Sequence, residues 1–209
     1  MTRSTDREDI LLLKDAGLQS ITMGIQSGSE EILRNDFNRP VVQSKTYQAA
    51  RIIAECGIAG FFDLITKVQF EQERHLRQTF DFLVDLPVEM QSVGFGAMTS
   101  FPNYGYTRKV ESEGAALTVG DDLYRYYHKL YLLTRTTLPR PIVKAIGGSR
   151  LFRRFPRLID PLLPKQLPAF FMSDDEDDLS SEVLNLPHAT AVIPGGKLDR
   201  GLPGDAAQA

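Results

Sequence analysis

Short apolar or β-branched runs alternate with longer amphipathic ones along the first hundred residues, and that alternation constrains the fold most. Ser20–Ile25, Gly60–Thr66 and Ser92–Met98 have the residue types of strands. Before them lie stretches with helical periodicity, 6–16, 44–56 and 72–85. Two end at Gly17 and Gly57, where the left-handed closing turn favours glycine, and the third stops before Pro87. A further helix is expected to start at Ser29, a candidate N-cap, with Glu30 and Glu31 suiting the positive end of its dipole. Strands alternating with helices predict βαβ units and a parallel sheet. The apolar strands suit a sheet covered on both faces or closed into a barrel. Three strands leave two edges open, so this is expected to be part of a larger fold or to be completed by a partner.

The pattern changes after residue 120. Asp121–Arg135 predicts one strong helix, and residues 139–168 hold six prolines and seven basic residues against one acid, Asp160. Here Arg140, Lys144, Arg150, Arg153, Arg154 and Arg157 alternate with Leu151, Phe152, Phe155 and Leu158. Such a mixture suits a membrane-surface or acidic-partner helix, but a solvated basic face on a helix packed against the barrel is the expectation, because Pro156 and Pro161 interrupt any long amphipathic helix. The acidic run 174–178 is expected to be a solvated linker. Residues 185–209, rich in glycine, proline and alanine, are expected to be largely disordered.

Composition narrows the function. The net charge of −3 gives no general affinity for nucleic acid, and no apolar run approaches a membrane span. The first residues carry no apolar secretory segment, so a cytoplasmic protein is expected. One cysteine, Cys56, excludes an intrachain disulfide and an all-cysteine metal site within this chain. Late in a helical stretch, it is expected to pack as a small hydrophobe. His75, His128 and His188 are too widely spaced to suggest a metal site.

Polar residues at three strand ends are the candidates for chemistry. Gln26, within Met23-Gly24-Ile25-Gln26-Ser27-Gly28-Ser29, offers donors and an acceptor, and Gly28 would let backbone approach a ligand. On residue types alone, a strand-to-helix turn chosen for capping is the favoured reading of the same residues. Arg39, thirteen residues beyond Gln26, suits a carboxylate, although Arg-Pro is also an ordinary loop. Asp63 lies inside an apolar strand, where a charge must be paired, ligand-bound or turned to water.

Together these residues resemble the second half of the radical S-adenosylmethionine (SAM) core. The matching pieces are Lys14–Gly17, Met23–Leu33, Asn38-Arg39, Phe62–Ile65, Glu71 and Ser100–Pro102, across Leu12–Tyr106. The likeness is closest to the cobalamin-dependent type and the methylthiotransferases. It implies SAM as cofactor, bound by Gln26, Ser27, Arg39 and Asp63. Arg39 would take the methionine carboxylate, and Gln26 and Asp63 the ribose hydroxyls. The family's Cys-x3-Cys-x2-Cys motif for a 4Fe–4S cluster is absent, as is its glycine-rich loop, and Gln69 stands where the family has proline.

The resemblance therefore implies an α/β fold, the later half of a partial TIM-type barrel with about three parallel strands over residues 1–115. A helical extension (116–172) and a linker with disordered tail (173–209) follow. The expected function is the SAM-binding half of a radical SAM enzyme, its cluster supplied by an upstream half or a separate chain, with cobalamin a feature of full-length relatives. The alternative is a degenerate, non-catalytic barrel module that acts as a binding partner.

Overall fold

A computed structural model describes residues 7–39, 43–87, 90–114 and 117–163. The acidic run 174–178 and the tail lie outside the described residues. The expected alternation is present. Helix α1 (Arg7–Asp15) leads to β1 (Ser20–Gln26), then α2 (Glu30–Asn35) and α3 (Gln43–Glu55). β2 (Ala59–Thr66), α4 (Glu73–Asp85) and β3 (Met90–Ala97) follow. Gly17 and Gly57 close α1 and α3 at φ of 102° and 66°, the left-handed turn that favours glycine. Leu86, extended at ψ 152°, ends α4 because the residue before Pro87 is driven out of the helical region.

The three strands pair in parallel in the order β1-β2-β3, so β2 is central. The protein is thus mixed α/β with a three-stranded parallel sheet. Among the described residues the helices pack chiefly on one face, and the other is covered only towards the end of β2, where Ile65 meets the Ile32 and Tyr106 cluster. The cause is alternation along the strands: Phe62, Leu64 and Thr66 of β2 are buried towards the helices, whereas Phe61 and Asp63 are exposed. β1 repeats this, with Ile25 buried and Thr22 and Gly24 exposed.

The core lies between the sheet, α3, α4 and α6 (Asp121–Leu133). Leu76, Phe80 and Leu83 of α4 meet Tyr124, Leu130 and Tyr131 of α6, all at or below 1% exposure. Each such side chain contributes roughly 1.5–3 kcal/mol through burial, so α6 belongs to the same core as the sheet. Cys56 is buried there, and its carbonyl accepts from Lys14 Nζ at 2.7 Å, tying α1 to the end of α3.

Helix α5 (Gly105–Glu113) lies in a stretch assigned no element from the sequence. Its Tyr106 forms a small second cluster with Ile32 and Val68, against which Ile65 and Met98 pack. Two short helices, α7 (Arg140–Gly148) and α8 (Arg150–Arg154), and a 3-10 helix (Pro156–Leu162) complete the described chain. Pro156 opens the 3-10 helix after α8, as an interruption at that proline predicts, whereas Pro161 lies inside that helix and α7 gives way to α8 at Ser149.

Candidate functional site

Residues paired across neighbouring parallel strands point to the same face. Gly24 pairs with Asp63 and Asp63 with Gly94, so these three form a row on the more exposed face. Asp63 is exposed there, on the central strand, and forms no hydrogen bond or ion pair among the described residues. Its carboxylate leans over Gly94, where an added Cβ would lie 2.6 Å from Oδ1.

Gln26 reaches this row by an unusual backbone route. Its φ of 63° is in the left-handed region, and Ser27 N donates to Ile25 O at 2.9 Å around it. The register of β1 against β2 shifts between Gly24 and Gln26. Together these break the strand's alternation and fold the Gln26 amide back over Gly24, where an added Cβ would lie 2.7 Å from Nε2. A glutamine in this conformation carries roughly 1–3 kcal/mol of strain, a feature common at ligand sites. Gln26 Oε1 is enclosed without a hydrogen-bond partner among the described residues, and an unsatisfied acceptor is costly unless a donor reaches it.

Arg39 completes the group. Its Nη1 donates to Gly24 O at 3.3 Å and lies 3.9 Å from where a Gly24 Cβ would stand. Gln26, Arg39 and Asp63 thus converge on one row, where the missing side chains of Gly24 and Gly94 make room for the Gln26 amide and the Asp63 carboxylate. The arrangement offers an amide acceptor, a guanidinium and a carboxylate to a ligand with an anionic end and hydroxyl donors.

Ser27 turns the other way. It is buried at 2% exposure, with Oγ 3.4 Å from Thr79 Oγ1 of α4, and it accepts from Ser29 N at 3.0 Å. Gly28 follows it: its N–H donates to Thr79 Oγ1 at 2.9 Å, so its close approach is to α4. Ser29 occupies the N-cap position of α2, yet its hydroxyl makes no capping bond and has no partner. Glu30 instead accepts from Gln43 N at 3.1 Å, linking α2 to α3.

Two titratable groups behind the sheet carried no assigned role in the sequence. Glu71, on the β2–α4 loop, is 2% exposed and accepts from Tyr124 Oη at 2.9 Å. Burial pushes its carboxyl up to about 7, against the lowering effect of the Tyr124 bond. His128 of α6 stacks on Phe95 with ring centroids 4.7 Å apart, and its Nε2 is enclosed without a partner. Burial, with a smaller contribution from Lys67, holds this imidazole down at about 4. Glu71 entered the sequence analysis only as a matching piece of the family resemblance and His128 only as a widely spaced histidine, since burial and stacking depend on which helix faces the sheet.

Among the described residues no group of three or more histidine, cysteine, aspartate or glutamate side chains is placed to hold a metal ion. No family model matches the chain, and no curated protein matches it.

Proposed function

We propose that the chain supplies the SAM-holding part of a radical SAM-type partial barrel, completed by a cluster-bearing half on another polypeptide segment. The observation that carries this reading is the convergence of Gln26, Arg39 and Asp63 on the open face beside Gly24 and Gly94. The donor set fits the cofactor: Arg39 for the methionine carboxylate, Asp63 and the unpartnered Gln26 Oε1 for ribose hydroxyls. Bound SAM supplies the sulfonium chemistry, and these side chains bind and orient it. The 4Fe–4S cluster does not fit this chain, because Cys56 is its sole cysteine and is buried. Anaerobic reconstitution should therefore leave the purified chain without stoichiometric iron. A brown, iron-loaded monomer would contradict that.

Ligand binding is the direct test. With part of the pocket contributed elsewhere, affinity for SAM should be weak, with a dissociation constant on the order of 1 mM. Nuclear magnetic resonance titration should shift the amide signals of Gly24, Gln26, Asp63 and Gly94 together. Arg39→Ala should weaken binding roughly ten- to a hundredfold, the 1.5–3 kcal/mol typical of a hydrogen bond to a charged group. Shifts confined to the helical side of the sheet, or none in the millimolar range, would refute the assignment.

A further inference from the structure

Segment 140–162 packs on the core through Val143, Ile146 and Ile159, which are buried. It leaves other large apolar side chains in water: Leu151, Phe155 and Leu158 are 55%, 51% and 47% exposed. These three follow one another by single turns, since Phe155 N donates to Leu151 O at 2.9 Å and Leu158 N to Phe155 O at 3.0 Å. The basic face expected from the sequence is therefore not simply a solvated one. It carries apolar side chains that the described residues leave about half exposed, Phe155 with the Arg154 guanidinium over its ring.

The cations between them divide into two kinds. Arg140 bonds Leu86 O, Lys144 pairs with Asp85 at 2.9 Å, and Arg153 pairs with Glu73 at 2.8 Å. Arg150, Arg154 and Arg157 are exposed and have no carboxylate partner among the described residues. The only acid in 140–162, Asp160, is taken by Lys129 at 2.5 Å. Beside this stretch opens a cavity of about 480 Å³ lined by Arg74, Arg77, Arg150 and Arg153. Arg74 pairs with Glu31 at 2.8 Å, Arg77 with Asp81 at 3.1 Å and Arg153 with Glu73, so of these four Arg150 alone has no carboxylate partner among the described residues. Arg150, Arg154 and Arg157 thus form a local cationic patch on a chain whose net charge is −3.

We propose that this surface docks on an anionic lipid bilayer. Leu151, Phe155 and Leu158 would enter the headgroup–acyl boundary, and Arg150, Arg154 and Arg157 would pair with lipid phosphates. A small soluble anion would satisfy the cations but leave the interleaved apolar side chains in water. A bilayer surface satisfies both, which is the composition of interfacial segments. No helix among the described residues is long and apolar enough to cross a membrane, so the contact is peripheral.

Vesicle flotation with the full 209-residue chain tests this. The chain should bind phosphatidylcholine vesicles containing phosphatidylserine, and bind pure phosphatidylcholine at least about tenfold more weakly. Combined Arg150→Glu, Arg154→Glu and Arg157→Glu should lower binding at least about tenfold, whereas the matching lysine substitutions should retain it. Combined Leu151→Ser, Phe155→Ser and Leu158→Ser should abolish the fraction that survives high salt. All these positions are exposed, and unchanged circular dichroism would confirm that the variants fold. Absence of binding to the phosphatidylserine vesicles, or charge reversal without effect in a folded chain, would overturn the proposal. Equal retention by polyglutamate, with the serine substitutions neutral, would also overturn it and point to an acidic protein partner.

Discussion

Gly28→Ala should destabilise the chain by roughly 3 kcal/mol, at the upper end of the cost of overpacking a core. The added Cβ would stand 2.4 Å from Thr79 Cα and 3.1 Å from Phe82 Cβ, and the first of these is helix backbone that cannot rotate away. Either α4 moves off the β1–α2 turn or the turn moves off α4. Both movements break the bond from Gly28 N to Thr79 Oγ1, which itself donates to His75 O at 3.0 Å. For a chain of this size, the melting temperature should fall by roughly 6–12 °C. Gly148→Ala is the control, because a Cβ there meets nothing within 4 Å. It should be neutral or slightly stabilising. Equal melting temperatures for the two variants would show that the β1–α2 turn yields easily and that its packing on α4 is not a fixed contact.

Gly28 also shows how far residue types alone can be read. That a backbone must come close to something at this position was legible. That the something is α4 was not, because the partner lies 51 residues further on. Asp63 is the opposite case. One acid in an apolar strand already demanded an explanation, and alternation alone placed it on the face opposite Phe62 and Leu64. Which face would be left open depended on where α6 packs, and α6 lies beyond the alternating region. Ser29 had the residue type and dihedral setting of an N-cap, yet its hydroxyl stays unpaired while Ser27 takes its amide. Helix α5 was missed because its sequence, Gly105–Glu113, is largely polar and buries only Tyr106.

The candidate site divides along the same line. Gln26, Arg39 and Asp63 were singled out from residue type and an expected place at strand ends, but only Gln26 ends a strand, Asp63 lying inside β2 and Arg39 beyond α2. Gly94 was invisible, because its contribution is an absent side chain beside Asp63 Oδ1, and register alone reveals it. The left-handed backbone of Gln26 was equally hidden, since nothing about a glutamine announces a φ of 63°.

Glu71→Gln and His128→Phe should change the pH dependence of stability in opposite directions. Glu71 titrates near its ordinary 4.5 when unfolded and at about 7 when folded, chiefly because it is buried. The folded state therefore holds this proton more tightly. The stability it contributes is complete below about pH 4.5 and is lost as pH rises through about 7, a change of roughly 3 kcal/mol. His128 titrates near 6.5 when unfolded and at about 4 when folded, again chiefly through burial. Its contribution is present above about pH 6.5 and lost as pH falls through about 4, by a similar roughly 3 kcal/mol. Between about pH 4.5 and 6.5 the two slopes oppose each other, so their sum in the native chain should be nearly flat. Glu71→Gln keeps an acceptor oxygen for Tyr124 Oη and removes the titration, so the variant's stability should rise with pH across that window. His128→Phe keeps a ring stacked on Phe95 and removes the unpartnered Nε2, so that variant's stability should fall across it. Urea denaturation at closely spaced pH values would separate the three curves. Parallel curves for native chain and both variants would mean that neither group is held away from its ordinary range, and that the packing of α6 over Glu71 and Phe95 is looser than described.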